Sequence, residues 1–104
     1  MRRVRIKDPE HMRRVRALPC IACQIAGVQQ ATPSECHHIR RREDGQPYGA
    51  SQKAHDTETI PLCHNCHWNG IGSIYTRREF EEKFGNERDL LAQTLETLYN
   101  GTED

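Results

Sequence analysis

Two Cys-x-x-Cys pairs, Cys20/Cys23 and Cys63/Cys66, constrain this chain more than any other feature. Each spacing forms a knuckle whose two sulfurs point at one ion, and four thiolates complete a closed, tetrahedral structural zinc site. Composition explains the need for such a staple. Of 104 residues, 35% are hydrophobic and 6% aromatic, and mean hydropathy is -0.90. A chain this short buries only about 60–65% of its unfolded surface, so a small core needs reinforcement. A disulfide framework is not expected. No apolar stretch follows the basic start Met1-Arg2-Arg3-Val4-Arg5, and five cysteines is an odd count. A thioredoxin-like use of one pair would need a βαβ pattern, which is missing. No run approaches the ~20 apolar residues of a membrane-spanning helix. The expected setting is the cytoplasm, with no membrane partner.

Local signals place the pairs in a small α+β domain. Residues 1–7 read as a basic, flexible arm and residues 8–104 as one domain. Asp8 and Pro9 suit the N-cap and first position of a helix running to about Ala17, ended by Pro19. Glu35-Cys36-His37-His38-Ile39 suits a strand. Residues 40–56, with Gly45, Pro47 and Gly49, suit a long functional loop. Thr59-Ile60-Pro61-Leu62 leads into Cys63-His64-Asn65-Cys66-His67, the first turns of a short helix that fails at Gly70 and Gly72. Thr76 and Glu79 form a capping-box pattern for a helix stopped by Gly85. Asn86 caps a second helix whose Leu91, Leu95 and Leu98 share a face, closed by Asn100-Gly101. Both helices read as packing elements.

Cys63 follows Cys23 by 40 residues, farther than a minimal zinc ribbon requires, so something else is built between the knuckles. Four histidines flank the intervening loop. His37 and His38 are neighbours on a strand and point to opposite faces, so they cannot do the same job. One can ligate a metal while the other addresses a substrate. His64 and His67, at i,i+3, share a helix face. Together these clusters could position a second ion. The plainer assignment makes the histidines zinc ligands or surface polarity, but four in two clusters weaken it.

The formal net charge of zero is unevenly spread. Residues 1–16 carry seven Arg/Lys, whereas from Glu79 onward eight acids face only Lys83 and Arg88. Arg40-Arg41-Arg42 directly follows the histidine pair, and Lys53 lies within the same loop. Such a distribution suits a phosphate backbone, to which the N-terminal arginines would add salt-sensitive affinity. Nothing reads as a base-recognising helix. Cys36 is expected as a small buried residue, Trp68 as a core plug, and His11 and His55 as surface residues.

The succession Cys-x-x-Cys, His-His-Ile and Pro-Leu-Cys-x-x-Cys-His resembles HNH (ββα-metal) nucleases with an embedded zinc site. More narrowly, four stretches resemble the phage recombination-enhancement (Ref) group. They are His37-His38-Ile39-Arg40, the loop Gly49-Ala50-Ser51-Gln52-Lys53-Ala54-His55-Asp56, Ile60-Pro61-Leu62-Cys63, and Phe80-Glu81 with Phe84-Gly85. The similarity covers about residues 18–85 and implies a zinc-stabilised ββα-metal core with flanking N- and C-terminal helices. It also implies a metal-dependent DNA endonuclease of phage or prophage recombination, with a recombinase filament as partner and the bacterial host cell as setting. His37 matches a ligand of the catalytic divalent ion, His38 the general base and His67 the helix-borne ligand, with His64 a further candidate. The motif's middle Asn is absent. Glu58 stands at that position, and Asp56 is the candidate to orient the base or bind metal.

Elementary chemistry agrees with that assignment. Phosphodiester hydrolysis needs an activated water, relief of phosphate charge and stabilisation of the leaving oxygen. A neutral imidazole can accept the water's proton near neutral pH, and a divalent ion serves the other two needs. Mg2+ prefers oxygen ligands, whereas two imidazoles also suit Mn2+, Ni2+ or Zn2+. Arg40, Arg41, Arg42 and Lys53 would hold flanking phosphates. Two other classes compete with this reading. One is a zinc-stabilised DNA-binding module without catalysis, favoured by the missing Asn; the other is a structural protein whose zinc holds helices for a partner.

Overall fold

Helix α1 (Pro9–Arg16) of the computed structural model, which describes residues 5–44, 46–48, 53–68, 73–74 and 76–100, begins at its sequence signal. Asp8 accepts the His11 amide at 3.0 Å, and Pro9 takes the first helical position, where a missing N–H costs nothing. Arg5 and Ile6, within the stretch expected as a basic arm, make hydrogen bonds to the rest of the domain. The Ile6 amide donates to His55 Nδ1 at 2.7 Å, and the Asp56 amide to the Ile6 carbonyl at 2.9 Å. Residues 1–4, Gly45, residues 49–52, Gly70, Gly72 and Gly101, on which several expectations rested, lie outside the described residues.

Cys20 opens a helix that sequence had not suggested, α2 (Ile21–Ala26), ended by Gly27 in the left-handed region at φ 73°. There a side chain would be strained, and Gly is the default. Strands β1 (Glu35–His38) and β2 (Thr59–Leu62) pair antiparallel, with His37 opposite Ile60 and His38 opposite Thr59. Helix α3 (His64–Trp68) follows directly, its first amide accepted by Thr32 Oγ1 at 3.0 Å. Two C-terminal helices complete the order, α4 (Arg77–Phe84) and α5 (Glu87–Tyr99). Asn86 caps α5 by accepting the Asp89 amide. The capping box expected at Thr76 does not form: its hydroxyl donates to the Ser73 carbonyl instead.

The core lies between the two-stranded sheet and its helices. Ile60 and Leu62 of β2 pack with Ile39, Ile74, Phe80, Leu90 and Leu91, and the knuckle residues Cys20, Cys23 and Cys63 join the same cluster. Every residue of β2 is buried, so a strand of four residues anchors α1, α2, α3 and α5. Leu95 and Leu98 continue the apolar face of α5. The result is a small α+β domain. Among the described residues no helix is long and apolar enough to cross a membrane.

Candidate functional site

The N-terminus of α2 and the start of α3 bring the two knuckles together. Cys23 Sγ lies 3.7 Å from Cys63 Sγ and 3.9 Å from Cys66 Sγ, and the four sulfurs lie within 4.8 Å of one another. Four ligands about 2.3 Å from one ion would be spaced about 3.8 Å apart, so the four cysteines could hold a structural metal ion such as zinc. All four are free thiols. Burial pushes the Cys23 thiol up to about 12 and Cys66 up as well, with the Cys20 and Cys63 thiols acting in the same direction on both. Burial opposes ionisation of Cys63 too, but the Cys66 amide and adjacent thiols donate to it and bring it down. A divalent cation converts such a set to thiolates. Cys36 stands apart and is only partly buried, its thiol donating to the Met12 carbonyl at 3.2 Å.

Strand alternation divides the histidine pair. Cys36 and His38 lie on the side of α1 and the N-terminal segment, while Glu35 and His37 face α3 and α5. His37 is 2% exposed. Its Nε2 lies 2.7 Å from Glu87 Oε2, and its Nδ1 lies 3.2 Å from His67 Nε2. His67 in turn has its Nδ1 2.8 Å from Glu35 Oε1. Burial alone would raise both carboxyls. Hydrogen bonds from His67, His64 and Trp68 to Glu35, and from His37 and the Arg40 amide to Glu87, hold them below the usual range. Ionised carboxylates only accept, so His37 Nε2 and His67 Nδ1 carry the ring hydrogens. With both rings neutral, His37 Nδ1 and His67 Nε2 face each other as lone pairs. Burial also keeps His37 below the ordinary imidazole value, against the pull of Glu87.

Two nitrogens bound to one ion at about 2.1 Å stand about 3.0–3.4 Å apart, and the observed 3.2 Å falls within that span. The carboxylate–imidazole pairing on the outer nitrogens is the usual means of fixing tautomer and orientation in ligating histidines. His64 lies outside this pair: it is exposed, with Nδ1 3.3 Å from Glu35 Oε2.

On the opposite face, His38 Nε2 lies 2.9 Å from Asp56 Oδ1. Asp56 also accepts the Asp8 amide at 2.8 Å and Arg5 at 3.1 Å. Burial opposes ionisation of Asp56, but bonds from His38 and the Asp8 amide, with the Arg5 charge, hold it below the usual carboxylate range. In its neutral form, a His38 that donates through Nε2 has its lone pair on Nδ1. Glu58, at the position expected for Asn, binds differently: it accepts from Tyr48 Oη, the His55 amide and Arg88 Nη1. Arg88 also donates to the Arg41 carbonyl at 3.1 Å. This cluster ties the long loop to α5.

His37, His38 and His67 line one cavity of about 580 Å3, with Arg40, Arg41, Lys53, Tyr48, Trp68 and Glu87 around it. The arginine run is not uniform. Arg40 turns inward, donating to Glu87 and to the Ile74 carbonyl at 2.7 Å, whereas Arg42 and Lys53 are exposed. Two sequence expectations fail. Trp68 is 51% exposed rather than a core plug, because its indole N–H is held at the rim by Glu35. His11 is 3% exposed rather than superficial, because Tyr99 of α5 closes over it and bonds its Nδ1 at 2.8 Å. His55 is half-buried and holds the Ile6 amide.

Sequence reasoning missed Glu35, Glu87 and Arg88. Glu35 had a signal, since it stands two residues before His37 on one strand face. Glu87 and Arg88 had none, because their partners in β1 and the loop are tens of residues away.

Neither a curated protein nor a solved structure matches this chain. A protein-family model described as "Protein of unknown function (DUF968)" matches residues 2–100, nearly the whole chain, and the protein belongs to that family.

Proposed function

We infer that this protein is a metal-dependent DNA endonuclease of the HNH (ββα-metal) type. The observation that carries the reading is the pair of facing ring nitrogens, His37 Nδ1 and His67 Nε2 at 3.2 Å, each ring held from behind by a carboxylate. The order of β1, β2 and α3 supports it, with one ligand on the first strand, one on the helix and a four-cysteine site binding the helix to α2. When bound, a divalent ion at His37 and His67 would relieve charge on the scissile phosphate and the leaving oxygen.

The chain's own residues would do the rest. His38, held by Asp56, accepts a proton from the attacking water at Nδ1. The carboxylate of Asp56 then stabilises the imidazolium, much as a buried acid supports the histidine of a hydrolase. Water oxygen bonds to phosphorus, and the bond from phosphorus to the 3′ oxygen breaks. Arg41, Arg42 and Lys53 offer cations to the flanking phosphates, while Arg40 holds the Glu87 carboxylate behind His37. Resemblance to the Ref group adds a setting, phage or prophage recombination beside a recombinase filament.

The test is cleavage of covalently closed plasmid DNA by the zinc-loaded protein, with Mg2+, Mn2+, Ni2+ or Zn2+ added in turn. Conversion to nicked or linear DNA supports the reading. Tight DNA binding with no cleavage under any ion would favour a zinc-stabilised DNA-binding module, which Glu58 at the expected Asn position also favours.

A further inference from the structure

Trp68 is the chain's only tryptophan, and its indole lines the cavity at the end of α3. A single exposed apolar residue needs no explanation, but this one is held in a fixed orientation. Its Nε1–H donates to Glu35 Oε1 at 2.9 Å. Its ring lies against that of His67, centroids 4.2 Å apart and planes tilted by 31°. The same Glu35 oxygen orients His67, so the indole and the ligand pair are set by one carboxylate. Half of the residue remains open.

The cations Arg41 and Lys53 line the same cavity, beside the Arg40–Glu87 pair. A positive wall beside a pre-set aromatic face suits a polyanion whose planar groups are unpaired and able to stack. A duplex fits less well, since its bases are already stacked on one another. We propose that Trp68 is a stacking platform for an unpaired nucleobase, and that the protein acts on single-stranded or locally melted DNA. The inference rests on the nuclease reading for its substrate and goes beyond it in strand state.

The lone tryptophan makes the test direct, because all indole emission comes from the proposed platform. Zinc-loaded protein, with no further ion added, is titrated with an oligothymidylate about twelve residues long, within the site sizes of single-strand binders. Emission should be quenched saturably, and a duplex of equal length should quench it less. Binding is followed in parallel by anisotropy of a labelled strand. Trp68→Ala should weaken oligothymidylate binding about tenfold or more, Trp68→Phe should restore most of it, and duplex affinity should barely move.

Binding without quenching, or a Trp68→Ala variant that binds the strand like wild type, overturns the stacking role. Cleavage of duplex DNA in that case would leave the nuclease reading intact. Quenching with no cleavage under any ion would support the platform while removing the nuclease. Absence of all DNA binding overturns both.

Discussion

Glu87 Oε2 lies 2.7 Å from His37 Nε2, joining the first residue of α5 to β1 across 50 positions of sequence. Because the same side chain accepts the Arg40 amide at 2.8 Å, one carboxylate fixes both a candidate ligand and the backbone that follows it. Glu35 does the corresponding work behind His67. The helix that packs the core is thus also the support of the site.

If Glu87 orients His37 as a ligand, Glu87→Gln should keep the fold and weaken divalent-ion binding about 10–100-fold, the usual effect of removing such support. Glu87→Ala should in addition lose stability, since His37 Nε2 and the Arg40 amide would both lose the Glu87 acceptor, at about 1–3 kcal/mol each. Calorimetric titration with Mn2+ and denaturant unfolding separate the two effects. Unchanged ion affinity in Glu87→Gln would contradict the role.

The four cysteines carry a second prediction. Protein purified without chelator should hold at least one zinc per chain by elemental analysis. Stripping the metal should lower the melting temperature sharply, because structural zinc binding contributes on the order of 10 kcal/mol in small zinc-dependent folds. Cys20→Ala should lose the metal and much of the fold. A zinc-free chain with the same melting curve would count against this site.

Which of these features sequence could reveal depends on the range of the contacts that form them. The knuckles, the α1 and α5 caps and the strand beginning at Glu35 are local, and their residues announce them. Alternation along β1 separates His37 from His38 by geometry alone. What sequence could not supply was tertiary: the α5 carboxylate behind His37, the closure of Tyr99 over His11, and the grip of Glu35 on the Trp68 indole. A short hydrophobic inventory made the indole look like core material. A hydrogen bond at its polar end keeps it at the rim.

Asp56 gives a pH dependence of defined sign. Its carboxyl titrates below the ordinary value of 3.8 in the folded state. Its stabilising effect is therefore fully present above the unfolded value and is lost as pH falls through the lower folded one. The stability difference between wild type and Asp56→Asn should be constant from about pH 5 upward and shrink progressively below about pH 4. Chemical denaturation of both proteins across this range checks it, and a difference that grows on acidification would refute the assignment.

The basic loop should act on DNA affinity through charge. Arg42→Ala and Lys53→Ala should each reduce the log–log salt slope of duplex binding by about 0.9 if each meets one phosphate, with little change in folding. Arg40→Ala should differ, losing stability as well, because it bonds the Ile74 carbonyl and Glu87. Salt titrations of labelled DNA binding, paired with melting curves, distinguish these cases. Identical slopes in wild type and the Arg42/Lys53 double variant would show that the loop does not follow the backbone.

The decisive residue is His38, the group proposed to take the proton from water. Plasmid cleavage rates should be compared for wild type and His38→Ala at saturating Mn2+ or Mg2+, on preparations matched for zinc content and DNA affinity. His38→Ala should bind DNA like wild type but cleave about 10²–10⁴-fold more slowly. Equal cleavage rates in the two proteins would contradict that role.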